Sequence, residues 1–167
     1  MRNESRGQIM RRNDREITDR QEILDIMRKC EVCRLALNDH GYPDVFPVNF
    51  GLQDKGETIQ LIFHSALEGH KVDLMESDNR AAFEMDCSHI LQYFPEKGYC
   101  TFSYESVMGR GYITILEESE KEEALKLIMA QYHPGENAYF NRAAIPRTLV
   151  YTLTVEEITA KRKEIKK

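Results

Sequence analysis

The chain lacks any apolar run of the roughly 18 residues that a membrane-crossing helix needs, so no membrane span is expected. Nor does an apolar stretch follow the charges of segment 1–16, so no secretory leader is expected and the chain reads as cytoplasmic. Basic residues are in deficit. Against 28 Asp and Glu stand 23 Lys and Arg, giving a formal charge of −5 that repels phosphate backbones and argues against a nucleic-acid partner. Nine glycines and five prolines in 167 residues exclude collagen-like and low-complexity classes. Repeats and Ser/Gly/Pro-rich linkers are also missing, which leaves one globular domain large enough for a proper core.

Cysteine is sparse. Cys30, Cys33, Cys87 and Cys100 do not make a disulfide framework, and a reducing cytosol would oppose one. The Cys30–Cys33 spacing invites a redox or zinc reading, but the pair follows a helical pattern, at the end where the dipole is negative. Zinc would need two further ligands, for which Cys87 and His89 have a weak spacing. The thiols read as small buried hydrophobes, and no metal site is expected.

What is present is a dense alternation of short strand patterns and turns. Residues 1–16 read as a polar arm, 17–160 as a single domain and 161–167 as a basic, solvated tail. Thr18 to Gln21 has the form of a capping box, and Ile23, Ile26, Met27 and Cys30 follow with helical spacing. Cys33, Leu35 and Leu37 alternate as a strand, and Asn38 to Pro43 is a turn. Val45 to Gly51 is extended, Gln53 to Gly56 turns, and Thr58 to His64 makes a third strand. A short helix is expected over Gly69 to Met75 and a fourth strand over Arg80 to Cys87. Residues 100–107 and 110–116 are expected to form a hairpin around Met108-Gly109. Ser119 to Glu122 reads as a second capping box before a helix through Gln131. Residues 133–146 are irregular but contain Tyr139 and Phe140, which suits packing, and Leu149 to Val155 is a last strand. Tight turns pair strands antiparallel. The expected class is mainly β with short helices (α+β): a six- to seven-stranded antiparallel barrel.

Three constellations carry chemistry. Pro47 cannot donate to a β-ladder, so it belongs on an edge or at a bulge; backbone groups at Val48, Asn49 and Phe50 are then left for a ligand, or the strand simply stops pairing early. His64-Ser65-Ala66 leaves a strand and enters a helix through Gly69, His70 and Lys71. Free N–H groups, a hydroxyl and an ammonium there suit a phosphate, and an ordinary solvated helix start fits as well. The glycine spacing is not that of a Walker loop. Ser106-Val107-Met108-Gly109-Arg110-Gly111 allows close backbone approach, with Arg110 a further anion ligand, or is an ordinary turn. No Ser-His-Asp order is present.

In this order and spacing these residues resemble the FMN-binding split barrel of the pyridoxamine 5′-phosphate oxidase-like superfamily, closest to its nitroimidazole-resistance flavoproteins. The likeness runs from Met10 to Arg162. It is carried by Cys33 to Leu37, Pro47 to Gly51, Phe63 to Ala66 with Gly69 to Lys71, Phe83 to Asp86, and Tyr104 to Gly109 with Gly111. The resemblance implies a homodimer with flavin at the subunit interface. Pro47 to Phe50 would line the isoalloxazine ring, Ser65 and Lys71 would hold the phosphate, and His64 would lie near the ring. Ser106 to Arg110 would come from the same site or its symmetry mate. Tryptophan is absent, and no C-terminal extension resembles the substrate-binding end of true pyridoxamine phosphate oxidases, which argues against vitamin B6 oxidation. The expectation is an FMN-dependent oxidoreductase acting on a small electron acceptor such as a 5-nitroimidazole or other nitroaromatic, with His64 as its catalytic side chain. The alternatives are a pyridoxamine-type amine oxidase, or a flavin- or haem-binding protein without turnover.

Overall fold

The computed structural model describes residues 12–133, 135 and 141–165. Tyr139, Phe140 and segment 1–11 lie outside them. Eight strands and three α-helices follow in the order β1 (Glu16–Ile17), α1 (Arg20–Lys29), β2 (Cys33–Asp39), β3 (Tyr42–Val48), β4 (Gly51–Asp54), β5 (Ile59–Ser65), α2 (His70–Ser77), β6 (Arg80–Phe94), β7 (Tyr99–Ile115), α3 (Glu118–Tyr132) and β8 (Leu149–Lys163). Every strand pair is antiparallel, and the strands run β3-β2-β6-β7-β8-β5-β4 with β1 added to β8. The sheet curls around one core but stays open: its two ends are β3 and β4, which only Asn49 and Phe50 separate in sequence. This is the split-barrel architecture expected, with its seam at that dipeptide.

Alternation fills the interior. Cys33, Leu35 and Leu37 from β2, Leu61 and Phe63 from β5, Phe83 and Met85 from β6, Val107 and Ile113 from β7, and Tyr151 and Leu153 from β8 are all buried. The apolar stripe of α1, Ile23, Leu24, Ile26 and Met27, closes one side of this core. A smaller cluster joins Ala124 and Ile128 of α3 to Ile62 and Val150. Gly51 makes that second contact possible, because a Cβ there would lie 2.7 Å from the Ile128 backbone nitrogen.

Several local expectations are corrected. The N-cap of α1 is Asp19 rather than Thr18, its carboxylate accepting from the Glu22 N–H at 2.9 Å, where a negative charge also meets the helix dipole. The capping box of α3 is Glu117 with Glu120, two residues ahead of Ser119 and Glu122, and Glu122 instead pairs with Arg142. No hairpin forms at Met108-Gly109. The strand expected to end at Cys87 continues through a bulge to Phe94, and the chain reverses at a 3₁₀ turn, Pro95–Lys97, closed by Gly98 at φ 65°. Gly109 and Gly111 therefore sit inside one long strand and serve close approach rather than a turn. A Cβ on Gly111 would stand 1.9 Å from the Thr154 carbonyl oxygen, and one on Gly109 would stand 2.5 Å from the Phe83 ring.

The two ends expected to be loose are also tied down. Asn13–Arg15 forms a 3₁₀ turn, Glu16 and Ile17 pair with Lys161 and Ala160, and β8 runs on to Lys163. Arg162 hydrogen-bonds Glu105 at 2.7 Å and Glu22 at 2.8 Å. Glu105 is buried, and it also accepts from Lys29 at 3.0 Å and Ser88 at 2.9 Å. Desolvation pushes its pKa up, but the hydrogen bonds from Arg162, Lys29 and Ser88 outweigh it and hold the pKa at about 2.

Two outcomes follow from these contacts. Gly111→Ala is expected to cost more than about 3 kcal/mol in urea unfolding, because the neighbour that must move is backbone. Glu105→Gln is expected to cost about 2–3 kcal/mol at pH 7 by leaving two cations facing a neutral amide. Its wild-type contribution is present above the unfolded carboxylate value near 4.5 and is lost as pH falls through about 2, so the gap between the two proteins should shrink steadily below pH 4.5 and be nearly closed at about pH 2. A constant difference across that range would contradict the assignment.

Candidate functional site

At the end of β5 the pleat turns His64 outward and leaves Ser65 half-buried; a short loop then leads through Gly69 into α2. Gly69 stands at φ 133° and ψ 166°, a conformation reserved for glycine, with open space where a side chain would be. Its carbonyl accepts from Val72 and Asp73, while no side chain caps the first N–H groups of α2. Lys71, in that first turn, is half-buried. Its Nζ lies 5.7 Å from the centre of the Phe46 ring and 6.0 Å from that of Tyr151. Among the described residues no carboxylate pairs with it, although Arg20, Lys29, Arg34, Arg80, Arg110, Lys121 and Arg162 all have one.

A cation resting on two aromatic rings, partly desolvated and without an acid, attracts an anion. Burial lowers the Lys71 pKa, and burial followed by the Lys71 charge lowers that of His64. Those shifts tie His64 and Lys71 into one electrostatic neighbourhood in which the imidazole is neutral at pH 7.

The other proposed residues divide. Pro47 and Asn49 are exposed and Val48 is half-buried, at the seam beside Phe46. Phe50 offers less than expected: its ring is buried against Tyr132, and its N–H donates to the Tyr132 hydroxyl at 3.1 Å. That hydroxyl in turn donates to the Glu31 carbonyl at 2.9 Å. The Ser65 hydroxyl donates to the Ala66 carbonyl at 2.9 Å, so its hydrogen is engaged locally. His70 turns its ring to Asp39 and Asp44, so it faces two carboxylates and is unsuited to a phosphate.

Ser106, Val107, Gly109 and Arg110 lie elsewhere. Val107 is core, Gly109 is pressed on Phe83, and Arg110 is bound to Glu157 at 2.6 Å. On β8, His64 is opposite Val150 and Ser106 is opposite Lys161. Eleven steps of extended strand separate those partners, roughly 35 Å along β8. Within one chain the two sets do not meet. The walls of the Lys71 site, Phe46 and Tyr151, escaped the sequence reading; strand alternation marks them as ordinary core, and only the crossing of β3, β8 and α2 places a lysine on them.

The fold is an open antiparallel barrel with a half-buried lysine at its seam. Residues 19–162 match the model of the pyridoxamine 5′-phosphate oxidase family, and the chain belongs to that family. No curated protein sequence matches it. Among solved structures, one from Bacteroides thetaiotaomicron, provisionally described as a 5-nitroimidazole antibiotic resistance protein, shares 28% identity over 89% of this chain and 90% of its own, with a TM-score of 0.75. An FAD- and haem-binding protein from Mycobacterium smegmatis shares 19% identity over 90% and 74%, with a TM-score of 0.77. A flavocytochrome from Azotobacter vinelandii shares 19% over 94% and 73%, with a TM-score of 0.76. At 19% identity the last two show the fold alone.

The coupling between the two side chains can be read directly. In Lys71→Met the pKa of His64 is expected to rise towards, but not reach, its ordinary 6.5, because burial remains when the charge is gone. Histidine Cε1–H shifts followed by NMR between pH 4.5 and 8 check this; an unmoved titration would separate the two residues.

Proposed function

We propose that the chain is an FMN-dependent oxidoreductase that reduces a small electrophile, such as a 5-nitroimidazole or another nitroaromatic. The observation that carries the reading is Lys71: a half-buried ammonium with no acid paired to it among the described residues, at a glycine-started helix and next to an exposed histidine. These residues fit a flavin phosphate. Lys71 and the first N–H groups of α2 would hold it, with the Ser65 hydroxyl a further donor once it turns from the Ala66 carbonyl, and Pro47, Val48 and Asn49 at the seam would lie along the ring. Bound flavin supplies the electron chemistry. The protein's part is to bind and orient, and His64 holds a proton at the edge of the site.

The second half of the set is supplied by a partner copy. β7 turns Phe102, Met108 and Tyr112 outward, and Leu91 of β6 lies opposite Phe102, so this sheet face exposes a set of large apolar side chains that no described residue covers. A homodimer through this face covers it and brings Ser106 and Arg110 of one copy towards the seam of the other. The likeness to the Bacteroides protein favours the nitroaromatic substrate. The Mycobacterium neighbour favours a second reading, FAD or haem bound without turnover.

Purified protein is expected to carry or take up FMN, identified by the mass of the released cofactor. A charge-assisted hydrogen bond contributes about 1.5–3 kcal/mol, so Lys71→Ala should weaken FMN binding about tenfold to a hundredfold. His64→Asn should keep its flavin but lose at least about tenfold in reoxidation by a nitroimidazole. Because His64 is neutral at pH 7, the wild-type rate should rise as pH falls from 8.5 to 5.5, and the variant should lack that slope. A colourless protein indifferent to FMN would overturn the flavin reading. Release of FAD or a haem absorbance band would select the second one.

A further inference from the structure

We propose that Asp39, Asp44 and His70 form a site for one divalent cation of the zinc class. Alternation along β2 carries Cys33, Leu35 and Leu37 inward, and the same pleat turns Asp39 to that side at the strand's end. On β3, Asp44 is partly buried on the same face as Phe46 and Val48. Both carboxylates thus sit at the open end of the barrel, where the first residue of α2 meets them. The His70 Nε2 stands 3.5 Å from an Asp39 oxygen and 3.2 Å from an Asp44 oxygen, and the three ligand atoms lie within 4.8 Å of one another.

Two features separate this trio from an ordinary ion pair. Neither carboxylate has a lysine or arginine partner among the described residues, whereas Asp14, Asp25, Asp54, Asp78 and Asp86 each have an arginine. A neutral imidazole carries one hydrogen, so its Nε2 can serve at most one of the two acids it faces. The second feature is spacing. Ligands 2.0–2.1 Å from a common tetrahedral ion are about 3.3 Å apart, and the two histidine–carboxylate separations lie either side of that figure. Few ligands and an imidazole nitrogen suit Zn²⁺, Co²⁺ or Ni²⁺, whereas Ca²⁺ and Mg²⁺ prefer more oxygens. His40, whose Nε2 is 3.8 Å from the other Asp39 oxygen, is the nearest further ligand; without it, water completes the shell.

The ion would pin the β2–β3 hairpin to α2. It needs no flavin, so the two readings fail separately. The test is calorimetric titration of the untagged full chain with ZnCl₂ at pH 7.5, beside thermal unfolding. The expected result is one equivalent bound, a raised Tm, and no displacement by millimolar Mg²⁺. Asp44→Asn should weaken Zn²⁺ binding more than about a hundredfold, since even outer-shell changes cost 10–100-fold. Without metal, that variant should unfold no earlier than wild type, because losing one of two facing carboxylates relieves repulsion. Wild type that binds no Zn²⁺, or Asp44→Asn and His70→Gln variants that bind it as wild type does, would overturn the site.

Discussion

The packing of β7 against β8 at two glycines sets the shape of everything else. At Gly111 the backbone of β8 comes so near that any side chain would occupy the Thr154 carbonyl, and at this point the ladder shifts register between Arg110 and Gly111. The shift bends a 17-residue strand enough for the sheet to curl. The curl brings β5 and β2 onto the same core, from which α2 and α1 hang. With a Cβ at these positions the strands would splay, and the Phe83 ring would lose the flat surface of Gly109 on which it lies.

Because that curl stops short of closure, the candidate site has a location. The chain crosses from one edge of the sheet to the other at Asn49 and Phe50, and α3 reaches back to the crossing through Tyr132, which accepts from Phe50 and donates to Glu31. Beside this pinned crossing, Phe46 and Tyr151 present ring faces to Lys71. Hydrophobic walls keep the ammonium partly dry, and with no acid paired to it among the described residues its charge is left for an incoming group. The polar network of Glu105 solves the opposite problem at the other end of β8. There a buried acid has gathered two cations and a hydroxyl, and little charge is left over.

The sequence made the barrel legible wherever period and turn chemistry agreed, as in Cys33–Leu37, Asn38–Pro43 and Leu149–Leu153. It misled where one residue type serves two purposes. Gly109 and Gly111 have the spacing of a turn, yet both are extended; only the partner strand, far away in sequence, explains them. Glutamates at 117, 118, 120, 122 and 123 offered two capping registers, and the choice rested on Arg142, some twenty residues on. Of the site, Lys71, Gly69 and His64 were legible because a strand end, a glycine and a basic residue occur in order. The turning of His70 towards Asp39 and Asp44 was not, since it depends on the β2–β3 hairpin lying beside α2.

An open barrel has raw edges, and β3 is one of them. Its prolines at 43 and 47 face Asn38 and Arg34 in the pairing with β2, with Val45 midway between them. A proline cannot donate to β2, so these three positions must be those whose amide direction is outward. Two of the three therefore carry no hydrogen there. A foreign strand approaching this edge would find a single donor over seven residues and two pyrrolidine rings in its way. The same residues that leave backbone free at the seam thus prevent the sheet from growing by strand addition, and copies of the chain cannot stack edge to edge along β3.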